Sequence, residues 1–203
     1  MYLSSQKIIK TLQNQDKTFN LIVKQIGDIS LEKKELNFEE LLKIIINQQL
    51  SNRASHIIFQ RLRDKISNPK QISPLEIVNV DNKELRNLGI SFSKISFMKE
   101  TAKHFMDYPD IIERWEKMND EEANTEIQKL KGFGPWSANI ILLFYLGRAD
   151  IFPYNDSTLQ KAYYKIYGTK LTANLSQIVW ARPYRSILAR YLWKWVDNGM
   201  KEL

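Results

Sequence analysis

The 203-residue sequence predicts an all-α fold, and three observations carry that prediction. Apolar residues recur at spacings of three and four, as in Ala54, Ile57, Ile58 and Leu62, in Ile95, Met98, Ala102 and Phe105, and in Leu188, Tyr191, Leu192 and Trp195. Such spacing gathers each set onto one face of a helix. The alternation of a half-buried strand is sustained nowhere. Breaks fall where turn chemistry puts them, at Gly27, Asn68-Pro69, Ser73-Pro74, Gly89, Tyr108-Pro109, Gly147, Gly168 and Arg182-Pro183. Together these signals divide the chain into about ten short helices.

Taken in order, Gly27 closes the first periodic stretch, and residues 32–35 mix charge signs as a solvated connection does. The Ala54 set ends before Asn68-Pro69, and the Ile95 set runs up to Tyr108-Pro109. A helix opened by Pro135 ends before Gly147, another fills Ser157–Tyr167 up to Gly168, and the Leu188 set follows Arg182-Pro183. No repeat, low-complexity tract or long linker marks a covalent domain boundary. Helices from distant parts of the chain can still form two lobes around a cleft.

The charge balance of 30 Lys+Arg against 23 Asp+Glu gives +7 and a pI of about 9.4, which attracts a polyanion and makes such binding salt-dependent. Basic surfaces also serve plain solubility. With 43% apolar residues the chain can bury a substantial core as one or two compact lobes. Cysteine is absent, which excludes disulfides, thiolate zinc sites and cysteine-held iron–sulfur clusters. His56 and His104 have no histidine or cysteine partner at ligand spacing, so side chains offer no metal site. The first residues, MYLSSQKIIK, lack the apolar stretch of a signal peptide, and the longest apolar run, residues 140–146, is far short of a membrane span. The expectation is a soluble cytoplasmic monomer with no membrane partner, nucleoid-associated if the source is prokaryotic.

Residues 130–156, LKGFGPWSANIILLFYLGRADIFPYND, read as one unit. Gly132 and Gly134 both permit backbone angles closed to other residues, so two helices spanning about residues 123–146 can meet at a sharp turn with outward amides. Lys131 and Phe133 complete its tip. Pro135 suits a first helical turn, where its missing donor costs nothing. Aimed by the positive end of the following helix, such a turn suits a phosphate, and the whole looks like a helix-hairpin-helix.

Asp156, just past Pro153, stands at the start of the helix Ser157–Tyr167. Its plain role is an N-cap accepting a backbone N–H. The helix dipole also holds such a carboxylate ionised, as an electrostatic stabiliser of a sugar cation must be. Trp136 lies at the start of the hairpin's second helix and Trp180 just before Ala181-Arg182-Pro183. Large aromatics at helical positions are usually core, yet a tryptophan beside a phosphate-gripping turn is well placed to meet a base.

The stretches LKGFGPWSAN, Pro153 with Asp156, WARPYRSILARYLW and the upstream IIINQQLSNRAS together resemble the helix-hairpin-helix DNA glycosylases, the HhH-GPD superfamily, and within them the 3-methyladenine DNA glycosylase II group. The resemblance covers roughly residues 38–195. It implies a two-lobed helical fold with a central cleft, lacking the N-terminal β-rich domain of the bacterial relative. One lobe would comprise residues 1–36 plus 151–203, and the other residues 37–150 with the hairpin.

Carried over position by position, the resemblance makes Asp156 the catalytic aspartate and Lys131, Gly132, Phe133 and Gly134 the phosphate-binding hairpin. Trp136 falls where strand-cutting relatives have a Schiff-base lysine, which implies a monofunctional glycosylase. Trp180 matches the pocket tryptophan before the segment Pro183, Tyr184, Arg185 and Ser186; Trp136 and Tyr154 are the other pocket residues. Gln49 is the first candidate for the wedge that fills the vacated stack, and Leu50 the second; otherwise Leu50 faces the core and Gln49 caps a helix end. Ile140 departs from the aromatic often found there, and Tyr154-Asn155 replaces a more acidic approach to the aspartate. No cofactor is required, although a Na+ or K+ ion at the backbone carbonyls of Lys131, Phe133 and Trp136 is suggested by the family. The implied partner is duplex DNA carrying alkylated purines. Two other functions fit the hairpin: a non-catalytic DNA-binding module, and a glycosylase for oxidised purines.

Overall fold

Short polar side chains that accept a backbone N–H set where most of the helices begin. The computed structural model describes residues 5–66 and 71–203, so the predicted break at Asn68-Pro69 lies outside the described residues. The helices are α1 (Ser5–Gln15), α2 (Lys17–Ile26), α3 (Phe38–Asn47), α4 (Asn52–Ile66), α5 (Pro74–Asn79), α6 (Asn82–Asn87), α7 (Phe92–Asp107), α8 (Ile111–Lys117), α9 (Asp120–Gln128), α10 (Pro135–Ile140), α11 (Ser157–Tyr167) and α12 (Arg185–Asp197). A π-helical segment, Ile141–Tyr145, continues α10, and a 3-10 segment, Ser176–Ala181, precedes α12. Among the described residues there is no strand. Asp16, Asn37, Ser73, Ser91 and Asn119 each accept an N–H from the first turn they precede.

The chain forms two compact units, Met1–Lys34 with Asn139–Leu203, and Glu35–Ala138. The first buries Leu12, Phe19 and Ile22 from α1 and α2 with Leu159 and Ala162 from α11 and Leu188, Tyr191, Leu192 and Trp195 from α12. Phe19 packs edge-on to Tyr191, with ring centroids 5.3 Å apart. The second buries Leu41, Leu42 and Ile45 of α3, Ile95, Met98 and Ala102 of α7, Trp115 of α8, and Ile127 and Phe133 around the turn after α9. Burial of such side chains is worth roughly 1.5–3 kcal/mol each and dominates the stability of both units.

The sequence division at residue 150 differs from the crossing at Ala138–Asn139, which falls inside α10. Nothing interrupts the helical pattern between Pro135 and Gly147, so the sequence carries no mark at the crossing. On α4 the expected apolar face is displaced. Ser55, Phe59 and Leu62 are buried, whereas Ile57 is 44% exposed, because tertiary packing selected a neighbouring stripe. The residues 32–35 are exposed, as their mixed charges predict.

The π-helical segment was not foreseen. The Leu146 N–H donates to the Ile141 carbonyl, one residue further back than in an α-helix. The last carbonyls find other donors: Arg190 Nη2 donates to Leu143 O at 3.1 Å and the Lys34 N–H donates to Phe144 O at 2.8 Å.

Candidate active site

Asp156 caps α11. Its Oδ1 accepts the Leu159 N–H at 2.8 Å, and the same oxygen accepts the Trp193 indole N–H at 3.2 Å. The residue is only 9% exposed, so these donors stand in for water around a charge that would otherwise be costly to bury. Trp193 is itself held against Phe144, ring centroids 5.4 Å apart, and the Arg190 guanidinium lies 4.7 Å from the Phe144 ring centre on its face. Trp193 was missed in the sequence reading, since 37 residues separate it from Asp156 and no local period marks the pair.

The approach to Asp156 is clamped by the start of α12. Arg185 donates through Nε to Asp150 Oδ1 at 2.7 Å and through Nη2 to Oδ2 at 2.8 Å, a forked geometry that lysine cannot copy. Ser186 Oγ donates to Arg148 O at 2.7 Å and accepts the Ile151 N–H at 2.9 Å. The arginine and serine of the Pro183–Ser186 stretch therefore hold residues 148–151, from which the chain turns at Pro153 into Asp156. Arg182–Pro183 is a cis peptide.

Burial pushes the Asp150 carboxyl upward, but its hydrogen bonds to Arg185 and that residue's charge outweigh burial and hold it below its ordinary value. A depressed folded value contributes stability that is present above the unfolded pKa of about 4 and is lost as pH falls through the folded value. Asp150→Asn is expected to lower Tm at neutral pH and to flatten the acid limb of the stability curve. Thermal unfolding from pH 7 to pH 3 checks this; parallel native and variant curves would contradict it.

Trp180 is half-buried, its ring 5.9 Å from that of Phe19, and Tyr154 is exposed. Both belong to the same unit as Asp156. Trp136, half-buried at the start of α10, and the hairpin turn belong to the other.

In that turn Gly132 takes φ +88°, and an added Cβ would lie 2.3 Å from the Phe97 ring. Gly134 corrects the expectation that both glycines serve the backbone angle. It takes no left-handed conformation, and an added Cβ would meet nothing within 4 Å. Its smallness faces open space. The amides of Gly132 and Gly134 donate to no protein acceptor among the described residues, whereas the buried Phe133 donates its N–H to Leu130 O at 3.0 Å. Lys131 is exposed and pairs with Glu100 at 2.6 Å.

Gln49 and Leu50 are both exposed, and Gln49 holds φ +57°. For a residue other than glycine that conformation costs roughly 1–2 kcal/mol, and such strain concentrates at functional loops. Leu50 does not face the core. Gln48, beside them, donates to Gly132 O at 2.8 Å and to Ser137 Oγ at 3.2 Å; Lys94 donates to Ile46 O at 2.8 Å and to Gln48 O at 2.7 Å. Neither was singled out from sequence.

Among the described residues no cluster of three or more His, Cys, Asp or Glu could hold a metal ion, and no helix is long and apolar enough to cross a membrane.

Comparison with known proteins places the chain in a family. Residues 42–182 match the family described as HhH-GPD superfamily base excision DNA repair protein. DNA-3-methyladenine glycosylase 1 of Schizosaccharomyces pombe is 30% identical over 193 residues, 90% of this chain and 84% of that protein. The alkylbase DNA glycosidase-like protein mag2 of the same organism is 28% identical over 197 residues, 91% of each. A solved structure of the Schizosaccharomyces pombe 3-methyladenine DNA glycosylase in complex with abasic DNA superposes with a TM-score of 0.84 at 27% identity, covering 97% of this chain and all of that one. With more than half its length matched, the chain belongs to the HhH-GPD superfamily of base excision DNA repair proteins.

Proposed function

We propose that the protein is a DNA glycosylase that hydrolyses the N-glycosidic bond of alkylated purines, of the 3-methyladenine and 7-methylguanine type, in duplex DNA. The observation that carries this is the Asp156 carboxylate, held at the start of α11 by the Leu159 and Trp193 N–H groups. The names of its relatives support the substrate class.

Alkylation at N3 or N7 places positive charge on the purine and weakens its bond to C1′. As that bond breaks, its electron pair leaves with the base and cationic character develops on the sugar. Asp156 would stabilise that charge by several kcal/mol through electrostatics and orient the water whose oxygen then bonds to C1′. The water proton passes to Asp156 or to solvent. Trp180 and Tyr154 would line the everted base in this reading, Trp136 is a further aromatic candidate beside the hairpin, and stacking of a cationic purine on an aromatic face contributes about 0.5–2 kcal/mol. Gln49, or Leu50 after it, fills the vacated stack. The free amides of Gly132 and Gly134, with Lys131, grip the neighbouring phosphate.

The carbonyls of Lys131 and Phe133 accept no hydrogen bond among the described residues, which fits a Na+ or K+ ion shared with Trp136 O; such an ion would fix the turn and take no part in bond cleavage. The protein would act as a monomer.

Trp136 supplies no amine for a Schiff base, so cleavage should stop at an intact abasic site. Borohydride added during turnover should trap no protein–DNA adduct, and strand breaks should appear only after alkali; a trapped adduct would contradict the monofunctional assignment. Trp193→Phe keeps the ring against Phe144 and removes the indole N–H. Single-turnover base release should fall about tenfold, the loss of one hydrogen bond to a charged group. An unchanged rate would remove Trp193 from the site.

A further inference from the structure

We propose that Gln48 and Lys94 are positioning residues that brace the loop carrying Gln49 and Leu50 against the hairpin turn, so that side-chain insertion and phosphate grip occur at one fixed spacing. This role rests on the glycosylase function proposed above and deepens it, because it concerns extrusion of the base and not cleavage of its bond.

Three distant segments meet at this point. The Gln48 side-chain amide reaches across 84 residues of sequence to the Gly132 carbonyl, at the tip of the hairpin, and its second acceptor, Ser137 Oγ, is buried within α10. Lys94, in the first turn of α7, places its ammonium on the carbonyls of Ile46 and Gln48 at the end of α3. A cation there satisfies carbonyls that the helix leaves without partners and offsets the negative end of its dipole. Between these anchors Gln49 is held in the left-handed region, a conformation that an untethered loop would relax. Gln49 and Leu50 consequently project to solvent from a loop fixed on one side by a charge and on the other by an amide. A loop free to shift by an ångström would fill the stack poorly, and positional errors of that size can cost about a hundredfold in rate.

Bracing separates from general stabilisation by the choice of substrate. A base in single-stranded DNA needs no wedge, whereas a base in a duplex does. Gln48→Met and Lys94→Met are expected to lower single-turnover release of 7-methylguanine from a duplex by about tenfold or more, while release from the same strand without its complement stays within about twofold of native. Lys94→Arg, which retains donors for both carbonyls, should stay near native on both. Because the Lys94 charge is spent on carbonyls, Lys94→Met should leave the salt dependence of duplex binding unchanged; a slope reduced by about one would make Lys94 a phosphate contact and overturn the brace. Equal losses on both substrates, or no loss on either, would also overturn it.

Fluorescence of 2-aminopurine placed beside the lesion reads extrusion without chemistry. The native protein should brighten it on binding and both Met variants should not. If the native protein releases no base from either substrate, the glycosylase assignment fails, and this signal still decides the brace. No brightening with the native protein, or equal brightening with the variants, would end it.

Discussion

Asp156→Asn is expected to reduce single-turnover base release by at least about a hundredfold, the effect of removing several kcal/mol of transition-state stabilisation. Stability and duplex affinity should change little. Asparagine is as good an N-cap as aspartate, so the Leu159 N–H keeps its acceptor, and the amide oxygen can still accept from the Trp193 indole. The substitution removes the charge and leaves the shape. Asp156→Ala would remove both and is expected to cost about 1 kcal/mol of stability from the lost cap alone. A similar Tm for native protein and Asp156→Asn, with unequal rates, would therefore assign the loss to chemistry. A variant that melts early would instead make Asp156 chiefly structural.

Gly132→Ala should have the second large effect, and on a different quantity. Its φ of +88° is strained for any side chain, and the added methyl would stand 2.3 Å from the Phe97 ring and 2.9 Å from the Phe97 Cβ, which cannot swing away as a flexible side-chain end can. Strain and overpacking together should cost roughly 3 kcal/mol, lowering Tm by about 6–12 °C for a chain of this size. Gly134→Ala is the control, since its methyl would enter open space. Tm should hold while duplex affinity drops, because a methyl there would keep a phosphate from the neighbouring amides. Thermal unfolding and salt-matched binding isotherms on the two variants check both statements. Equal Tm losses would show that Gly134 is needed by the fold and not by a ligand.

Legibility from the sequence followed the range of each interaction. The helix start at Asp156 was readable because a cap acts on N–H groups within three residues, and Ser73-Pro74, legible only as a break, caps a helix in the same way. The hairpin was readable because glycine and proline advertise turn geometry locally, although the role given to Gly134 was wrong: the same residue type serves a positive φ at Gly132 and open space at Gly134. The α4 face was misplaced because periodicity offers two neighbouring stripes and only tertiary contact selects one. Unreadable were the groups that fix the site from afar. Trp193 reaches Asp156 across 37 residues, Arg185 reaches Asp150 across 35, and Lys94 reaches Gln48 across 46. Each of these side chains also has an ordinary local role, as helix aromatic or surface cation, that conceals its partner.

The most direct test is a chromatographic inventory of the free bases released from methylated and from oxidised duplex DNA by the native protein and by Asp156→Asn. The native protein should release 3-methyladenine and 7-methylguanine, leave 8-oxoguanine in place, and lose this activity on substitution. Release of the methylated purines at near-native rates by Asp156→Asn, or release of oxidised purines alone by the native protein, would contradict the account.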